Sequence, residues 1–437
     1  MPHLFNPNFF NFIIVFTHLC FHTYSITHWE DIQSLKHFKS SIDFNSITPG
    51  SCLSSWDFTV DPCDSVSGEH FTCGIRCDVV FPLSGVSRVT ELTVDHAGYA
   101  GKLSSSSWNL PYLQTLDLTN NNFTGSIPVS FSKLTRLQRL SLSTNSLTGS
   151  IPDSLPDSLQ ELYLDNNNLN GSIPQTLNRL KNLKRLEFQG NQLSGEFPEL
   201  TQLSELYFLD VSNNVISGYL PALFPSGLIE LAMRNNSLQG NIPASLVNGS
   251  VYLQVLDLSY NNLTGSIPPE LFTHPSLQQL TLAYNRFNKF EPLNSGVQTR
   301  YLTNPDVSLG QNSELIAIDL SNNDIHGFLP GFMGRMPKLS ALSLENNKFS
   351  GVIPTQYALK AVAEGGFGGL DPFERLLLGG NYLFGLIPGP LLRLKSGSGV
   401  MIRLGDNCLY ECPESFYFCG GGVQKSLMEC KTFTPWD

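Results

Sequence analysis

LQTLDLTNNNFTGSIP at residues 113–128 returns, little changed, as LQVLDLSYNNLTGSIP at 253–268. Worn copies lie between and beyond, aligned on Asn121, Asn145, Asn167, Asn191, Asn214, Asn236, Asn261, Asn285, Asn323, Asn347, Asn381 and Asn407, with Ala97 in that place in a degenerate first copy. The shared pattern is LxxLxLxxNxLxGxIP, and each letter has a mechanical reason. Leu116 and Leu118 alternate with Asp117, which predicts a short strand with one buried and one exposed face. Leu113, Phe123 and Ile127 fill the same core from the adjoining coil. Asn121 falls where the chain turns, and its amide can bond backbone groups of the buried turn. Gly125 suits a left-handed backbone, and Pro128 restricts the chain just after it. No copy can bury its apolar face alone, so neighbours must stack. The strands then make one parallel sheet, roughly 60 Å long for thirteen copies at the usual strand spacing.

A stack has two open ends, and the cysteines mark them. Cys52, Cys63, Cys73 and Cys77 precede the repeats, and Cys408, Cys412, Cys419 and Cys430 follow them. An even count at the ends reads as disulfides in an oxidising compartment, with three pairings open for each quartet. The apolar run FFNFIIVFTHLCF at 9–21, followed by Thr23-Tyr24-Ser25, has the shape of a secretory signal peptide, and Cys20 leaves with it. No later stretch approaches the length of a membrane span. The formal net charge of -11 argues against nucleic acid or an anionic membrane as partner. The expected organisation is a signal peptide over 1–25, an N-terminal cap over 26–87, repeats over 88–407 and a cysteine cap over 408–437.

The GSIP endings at 125–128, 149–152, 171–174 and 265–268 resemble the plant-specific leucine-rich repeat. In front of them, EDIQSLKHFKSSI at 30–42 puts Ile32, Leu35, Phe38 and Ile42 on one helical face. That helix leads into LSSWDFTVDPC at 53–63 and FTCGIRC at 71–77, similar to the N-terminal cap of plant receptor-like kinases and receptor-like proteins. The resemblance implies an α/β solenoid, a leucine-rich repeat horseshoe or superhelix with a parallel β-sheet on its concave face and disulfide-bonded caps. It also implies an extracellular binding protein. Kinase signatures such as HRD and DFG do not occur, and no membrane span follows the last cap. The cap NCLYECPESFYFC is longer than the cysteine pair of many relatives and looks more like a soluble or peripherally held subfamily.

Two steps break the rhythm, Asn285 to Asn323 and Asn347 to Asn381, with insertions near 288–314 and 355–373. Both read as surface loops, and solenoid insertions fall on one face, often the binding face. Acceptor sequons stand at Asn122, Asn170, Asn235, Asn248 and Asn262, which leaves the second half bare of sugar. On the exposed strand face, small polar residues give way to Tyr163, Glu187, Phe208, Arg234, Tyr260, Tyr284, Arg375 and Leu377. Aromatics and arginine are what interface anchors are made of.

Glu187 and Asp210 fall at equivalent positions of adjacent copies, about 5 Å apart by strand spacing, close to a retaining glycosidase pair. Aspartate recurs in that column at Asp117, Asp257 and Asp319, and an open sheet excludes no water, so the expectation is a binder without catalytic residues, metal or cofactor. The reading is a secreted receptor-like protein in the apoplast or cell wall, or held peripherally at the outer plasma-membrane face. Its partner would be a peptide, a glycan or a receptor-kinase ectodomain, in growth or defence signalling. The alternative is an inhibitor of a secreted microbial hydrolase, resembling polygalacturonase-inhibiting proteins.

Overall fold

A computed structural model describes residues 26–64, 72–81, 85–103, 108–291, 309–362, 369–395, 397–413, 415–420 and 423–432. The signal segment 1–25 and most of the first insertion, 292–308, lie outside these residues. Thirteen repeat strands, from Val86–Thr93 to Met401–Arg403, lie side by side in chain order in one sheet. They are parallel, and leucine stands opposite leucine from one turn to the next, as in Leu116–Leu140, Leu162–Leu186 and Leu256–Leu280. At the N-terminal edge, Ile26–Thr27 pairs in parallel and Ile75–Phe81 antiparallel with the first repeat strand.

The xLxG segments build a second set of parallel strands beside the first. Nine of them run from Ala100–Lys102 to Arg286–Phe290, and four more from His326–Phe328 to Cys408–Tyr410. The break between the two groups falls at the first insertion. Short helices close many turns on the outer side, as at Val129–Lys133 and Gln175–Arg179. Leu113, Leu116, Leu118, Phe123 and Ile127 are all buried in one continuous core, as the pattern requires.

Between turns, the buried asparagine does more than brace its own loop. Asn167 Nδ2 donates to Leu142 O of the preceding repeat at 3.0 Å and lies 3.1 Å from its own Leu164 and Asp165 carbonyls. Its Oδ1 accepts Leu147 N of the preceding repeat at 3.0 Å. The same set recurs at Asn285, Asn323 and Asn407.

Both ends are closed by disulfides, Cys52–Cys73 and Cys63–Cys77 in front, Cys408–Cys430 and Cys412–Cys419 behind. The front helix, Trp29–Ser40, buries Leu35 and Phe38, but Ile32 is only half-buried and Asp31 and Ser34 take its place. Asp31 Oδ1 accepts Arg88 Nη2 at 2.7 Å, and Oδ2 accepts Arg88 Nε and Val89 N. That buried pair, absent from the apolar pattern, seats the helix on the first strand.

The second insertion is not a loop throughout. Thr355–Ala361 forms a helix that buries Tyr357, Ala358, Lys360 and Ala361; residues 363–368 lie outside the described ones. Lys360 Nζ donates to Met336 O at 2.9 Å and stands 5.4 Å from the Phe373 ring. Burial lowers the Lys360 ammonium from 10.5 to about 8, against the pull of Asp371.

Replacing Asn121 by Ala strands the Tyr99 and Gly98 amides and the Asp95 carbonyl at once. The expected loss is about 2–4 kcal/mol in urea unfolding, whereas Asn120→Gly, at a neighbouring left-handed position (φ 57°), changes stability little. Equal effects at the two positions would contradict the stitching role. A base whose folded pKa is depressed adds stability fully above its unfolded value and loses it as pH falls through the folded one. Lys360→Met therefore raises the melting temperature more at pH about 6 than at pH about 10. A pH-independent difference would refute the depressed value.

Candidate functional site

Each concave strand presents two outward side chains, and two more follow before the ladder asparagine. The last of these four positions is the most constrained. It is left-handed at Asn120, Thr144, Asn166, Asn213, Asn235, Asn322, Asn346 and Asp406, and at Gly190 and Gly380. Asparagine, aspartate and glycine tolerate that conformation; bulky side chains rarely adopt it. Tyr260 and Tyr284 stand in the same column with φ of 54° and 56°. Their rings stack with centroids 4.1 Å apart and an interplanar angle of 13°. The Arg234 guanidinium lies 4.8 Å from the Tyr260 ring. Three consecutive repeats thus share an exposed Arg–Tyr–Tyr row, with 39% and 46% of the tyrosines open to solvent.

A second row crosses the strands of repeats three to six. Arg139 lies over Tyr163 at 4.5 Å, Tyr163 faces Arg185 at 6.0 Å, and Arg185 covers Phe208 at 3.6 Å. Glu161 and Glu187 hold the two arginines by ion pairs. Burial first, and then Glu161, push the Tyr163 phenol above its ordinary value. Of the residues singled out in the sequence, Tyr163, Glu187 and Phe208 meet in this row, and Arg234, Tyr260 and Tyr284 in the other. Arg375 belongs to neither; it stands in register with Ala341 and Met401. Arg139 and Arg185 escaped the sequence reading, although RLS and RLE at 139–141 and 185–187 place both in one column of the alignment.

The aspartate column is structural. Asp117, Asp210, Asp257 and Asp319 each accept the amide two residues on, from Thr119, Ser212, Ser259 and Ser321, the side-chain turn that aspartate favours. Glu187 and Asp210 are in register on adjacent strands, yet Glu187 is held by Arg185 and Gln189, and Asp210 by Ser212. Burial, the largest cause, holds the Asp210 carboxyl above its ordinary value. Each carboxylate thus already has its own partner.

Four sequon asparagines, Asn122, Asn170, Asn235 and Asn248, are exposed, and Asn262 is half-exposed. Asn122, Asn170 and Asn262 all lie in the second sheet. No helix among the described residues is long and apolar enough to cross a membrane.

Comparison with known proteins agrees with this architecture. Leucine rich repeat models match residues 87–155, 158–180 and 226–287. Receptor-like protein 35 of Arabidopsis thaliana is 31% identical over 161 residues, which cover 36% of this chain and 15% of that protein. Lumican of Rattus norvegicus is 38% identical over 104 residues, 24% of this chain and 30% of its own. Among solved structures, the plant peptide hormone receptor RGFR1 in complex with RGF2 superposes with a TM-score of 0.63 at 30% identity. That match covers 77% of this chain and 51% of the receptor. The matched segments span between 12% and 20% of the plant receptor-like proteins they resemble.

Left-handed tyrosines cost about 1–3 kcal/mol each, more than an exposed ring stack returns. Tyr260→Asn and Tyr284→Asn, alone or together, are therefore expected to leave the melting temperature unchanged or to raise it. A marked fall would make the tyrosines part of the scaffold instead.

Proposed function

Because the chain is a leucine-rich repeat protein that resembles plant receptor-like proteins, we propose that it is a non-enzymatic, extracellular recognition protein binding an extended peptide along its concave face. The observation that carries this reading is the Arg234–Tyr260–Tyr284 row. Two bulky side chains occupy a strained backbone position that other repeats give to asparagine, glycine, threonine or aspartate. Strain kept at an exposed site, with no burial to compensate it, points to use by a partner. Tyrosine and arginine are also the side chains most often found at the energetic centre of interfaces.

The likeness to a peptide hormone receptor supports a peptide partner. The Arg139–Tyr163–Arg185–Phe208 row extends the same chemistry toward the N-terminal half. Peptide aromatic or apolar groups would lie on the ring faces, and peptide carboxylates or carbonyls would meet the guanidinium edges. The exposed sequons fit a secreted glycoprotein: sugars at Asn122, Asn170 and Asn262 would occupy the second sheet, whereas Asn235, in the column of Tyr260 and Tyr284 and next to Arg234, has to stay bare for that row to bind. Its place would be the apoplast, where it serves growth or defence signalling as a soluble or peripherally held partner of receptor ectodomains.

The test is a binding screen of the secreted, glycosylated protein against synthetic peptides, receptor ectodomains and cell-wall hydrolases. Each hit is repeated with the Tyr260→Ala/Tyr284→Ala double variant and with Arg185→Ala. The proposal expects a peptide ligand whose affinity falls at least about tenfold in the double variant, as for an interface centre. Hits confined to a hydrolase, with its rate falling, would make the protein an inhibitor. Peptide binding untouched by either variant would move the site off these rows.

A further inference from the structure

At the C-terminal end of the concave face, the last two repeats have Gly379, Gly380 and Gly405 where earlier ones carry Ser212, Arg234, Tyr260 or Tyr284. The missing side chains leave a cavity of about 790 Å³, lined also by Glu345, Asn346, Met401, Arg403, Asp406 and Tyr417. Glycine keeps the floor bare. Gly380 has φ 70°, and a Cβ there would run into Asn346 Oδ1; a Cβ at Gly379 would stand 3.4 Å from Glu345 Oε1. A carboxylate and an amide oxygen therefore both face the bare backbone.

Two acceptor groups in this cavity, the Glu345 carboxylate and Asn346 Oδ1, are not met by a donor among the described residues. The Glu345 side chain is 20% exposed, and its nearest cation is Arg403 Nη1 at 4.0 Å, beyond hydrogen-bond reach. Among the described residues no donor reaches its carboxylate. Burial, with Asp319 adding and Arg403 opposing, holds the Glu345 carboxyl above its ordinary value. Asn346 Nδ2 donates to Asn322 Oδ1 at 3.0 Å, and among the described residues no donor reaches Asn346 Oδ1. Asp406 is already paired with Lys425 at 2.9 Å. The Gly379 and Gly405 carbonyls accept Asn346 N and Gly380 N, at 2.9 and 3.1 Å, and so are not free. Arg403, 61% exposed, can turn outward to solvent. A half-buried carboxylate with no hydrogen bond is costly, and a donor-rich cation removes that cost.

We propose that this glycine-floored cavity is a subsite for a guanidinium group, the side chain of an arginine carried by a ligand. Its planar fork would donate to the Glu345 carboxylate and Asn346 Oδ1, and its stem and face would lie against Met401 and the Tyr417 ring. The inference rests on the peptide reading only for what carries the arginine. The cavity itself can be tested without the natural ligand.

The probe is N-acetyl-L-arginine amide, titrated by NMR or calorimetry into the intact secreted protein, with the neutral N-acetyl-L-citrulline amide and the anionic N-acetyl-L-aspartate amide as controls. The arginine probe is expected to bind in preference to both. Glu345→Gln should weaken it by about tenfold or more. Arg403→Gln should tighten it, because a competing cation is removed. Gly379→Leu, which fills the floor, should abolish binding while the melting temperature confirms folding, and Lys133→Ala, exposed on an outer helix, should leave it unchanged. Equal binding of citrulline, a preference for the aspartate probe that Arg403→Gln removes, or no arginine binding up to about 20 mM would overturn the proposal. Arginine binding with no peptide hit on the rows would sink the peptide reading and leave the subsite standing. Peptide hits without arginine binding would do the reverse.

Discussion

One inward-turned asparagine amide per turn holds this molecule in register. Each ladder asparagine gives its Nδ2 to a carbonyl of the preceding repeat and takes that repeat's amide on its Oδ1, as Asn167 does with Leu142 and Leu147. The groups it satisfies are backbone atoms in the interior, where an unmade hydrogen bond is expensive. The bonds also fix geometry. For the asparagine to turn inward, the residue before it commonly enters the left-handed region, and the strand behind it keeps leucine opposite leucine. Period, strand register and the exposed columns all descend from that stitch. Apolar burial supplies the driving force for stacking, but burial is non-directional and would not choose between neighbouring registers by itself.

Once the register is fixed, the outward columns carry almost no structural duty and are free to differ. Two columns are exceptions: Asp117, Asp257 and Asp319 close small turns with the amides two residues on, and the position before the ladder asparagine is held left-handed. This explains why a row of carboxylates on an open sheet need not be a catalytic or metal site. It also separates residues that repeat because the turn needs them from residues that stand out. Tyr260 and Tyr284 oppose the preference of their own column, and Gly379, Gly380 and Gly405 empty theirs. In a repeat protein the departures from the consensus are where binding chemistry has room to reside.

Much of this was legible in the sequence, for reasons that can be stated residue by residue. Leu116, Leu118, Phe123 and Ile127 declare the strand and its core because a solenoid demands the same buried positions in every turn. The capping role of the eight cysteines followed from their placement at the two ends. Their pairing did not, since it depends on how the chain folds back between Cys52 and Cys77 and between Cys408 and Cys430. The front helix was legible in position and in the burial of Leu35, Phe38 and Ile42, but not in the inward turn of Asp31 in place of Ile32, because the partner that lets Asp31 go inside, Arg88, lies 57 residues downstream. The helix Thr355–Ala361 was misread as loop, although Tyr357, Ala358 and Ala361 carry the spacing of a helix face. On the site, residue type pointed to Tyr260 and Tyr284, while the arginines of the other row went unread. An arginine on a strand looks like solvated surface until the ring it covers is placed beside it.

The two aromatic–arginine rows bear on how such a surface binds. Long charged side chains on an open sheet would ordinarily lose about 0.5–1.5 kcal/mol each in rotamer freedom when a partner immobilises them. Here Arg139 is already held by Glu161 and Tyr163, and Arg185 by Glu187 and Phe208. Much of that ordering cost is met in folding. The stacked tyrosines are likewise fixed by a backbone with little freedom of its own. A rigid sheet that presents pre-positioned rings and guanidinium edges can hold a flexible peptide with modest contact area, since most of the entropy lost on binding is then the peptide's. The same rigidity limits adaptation. Specificity on this scaffold must therefore come from which side chains occupy the columns, and from where the columns are left empty.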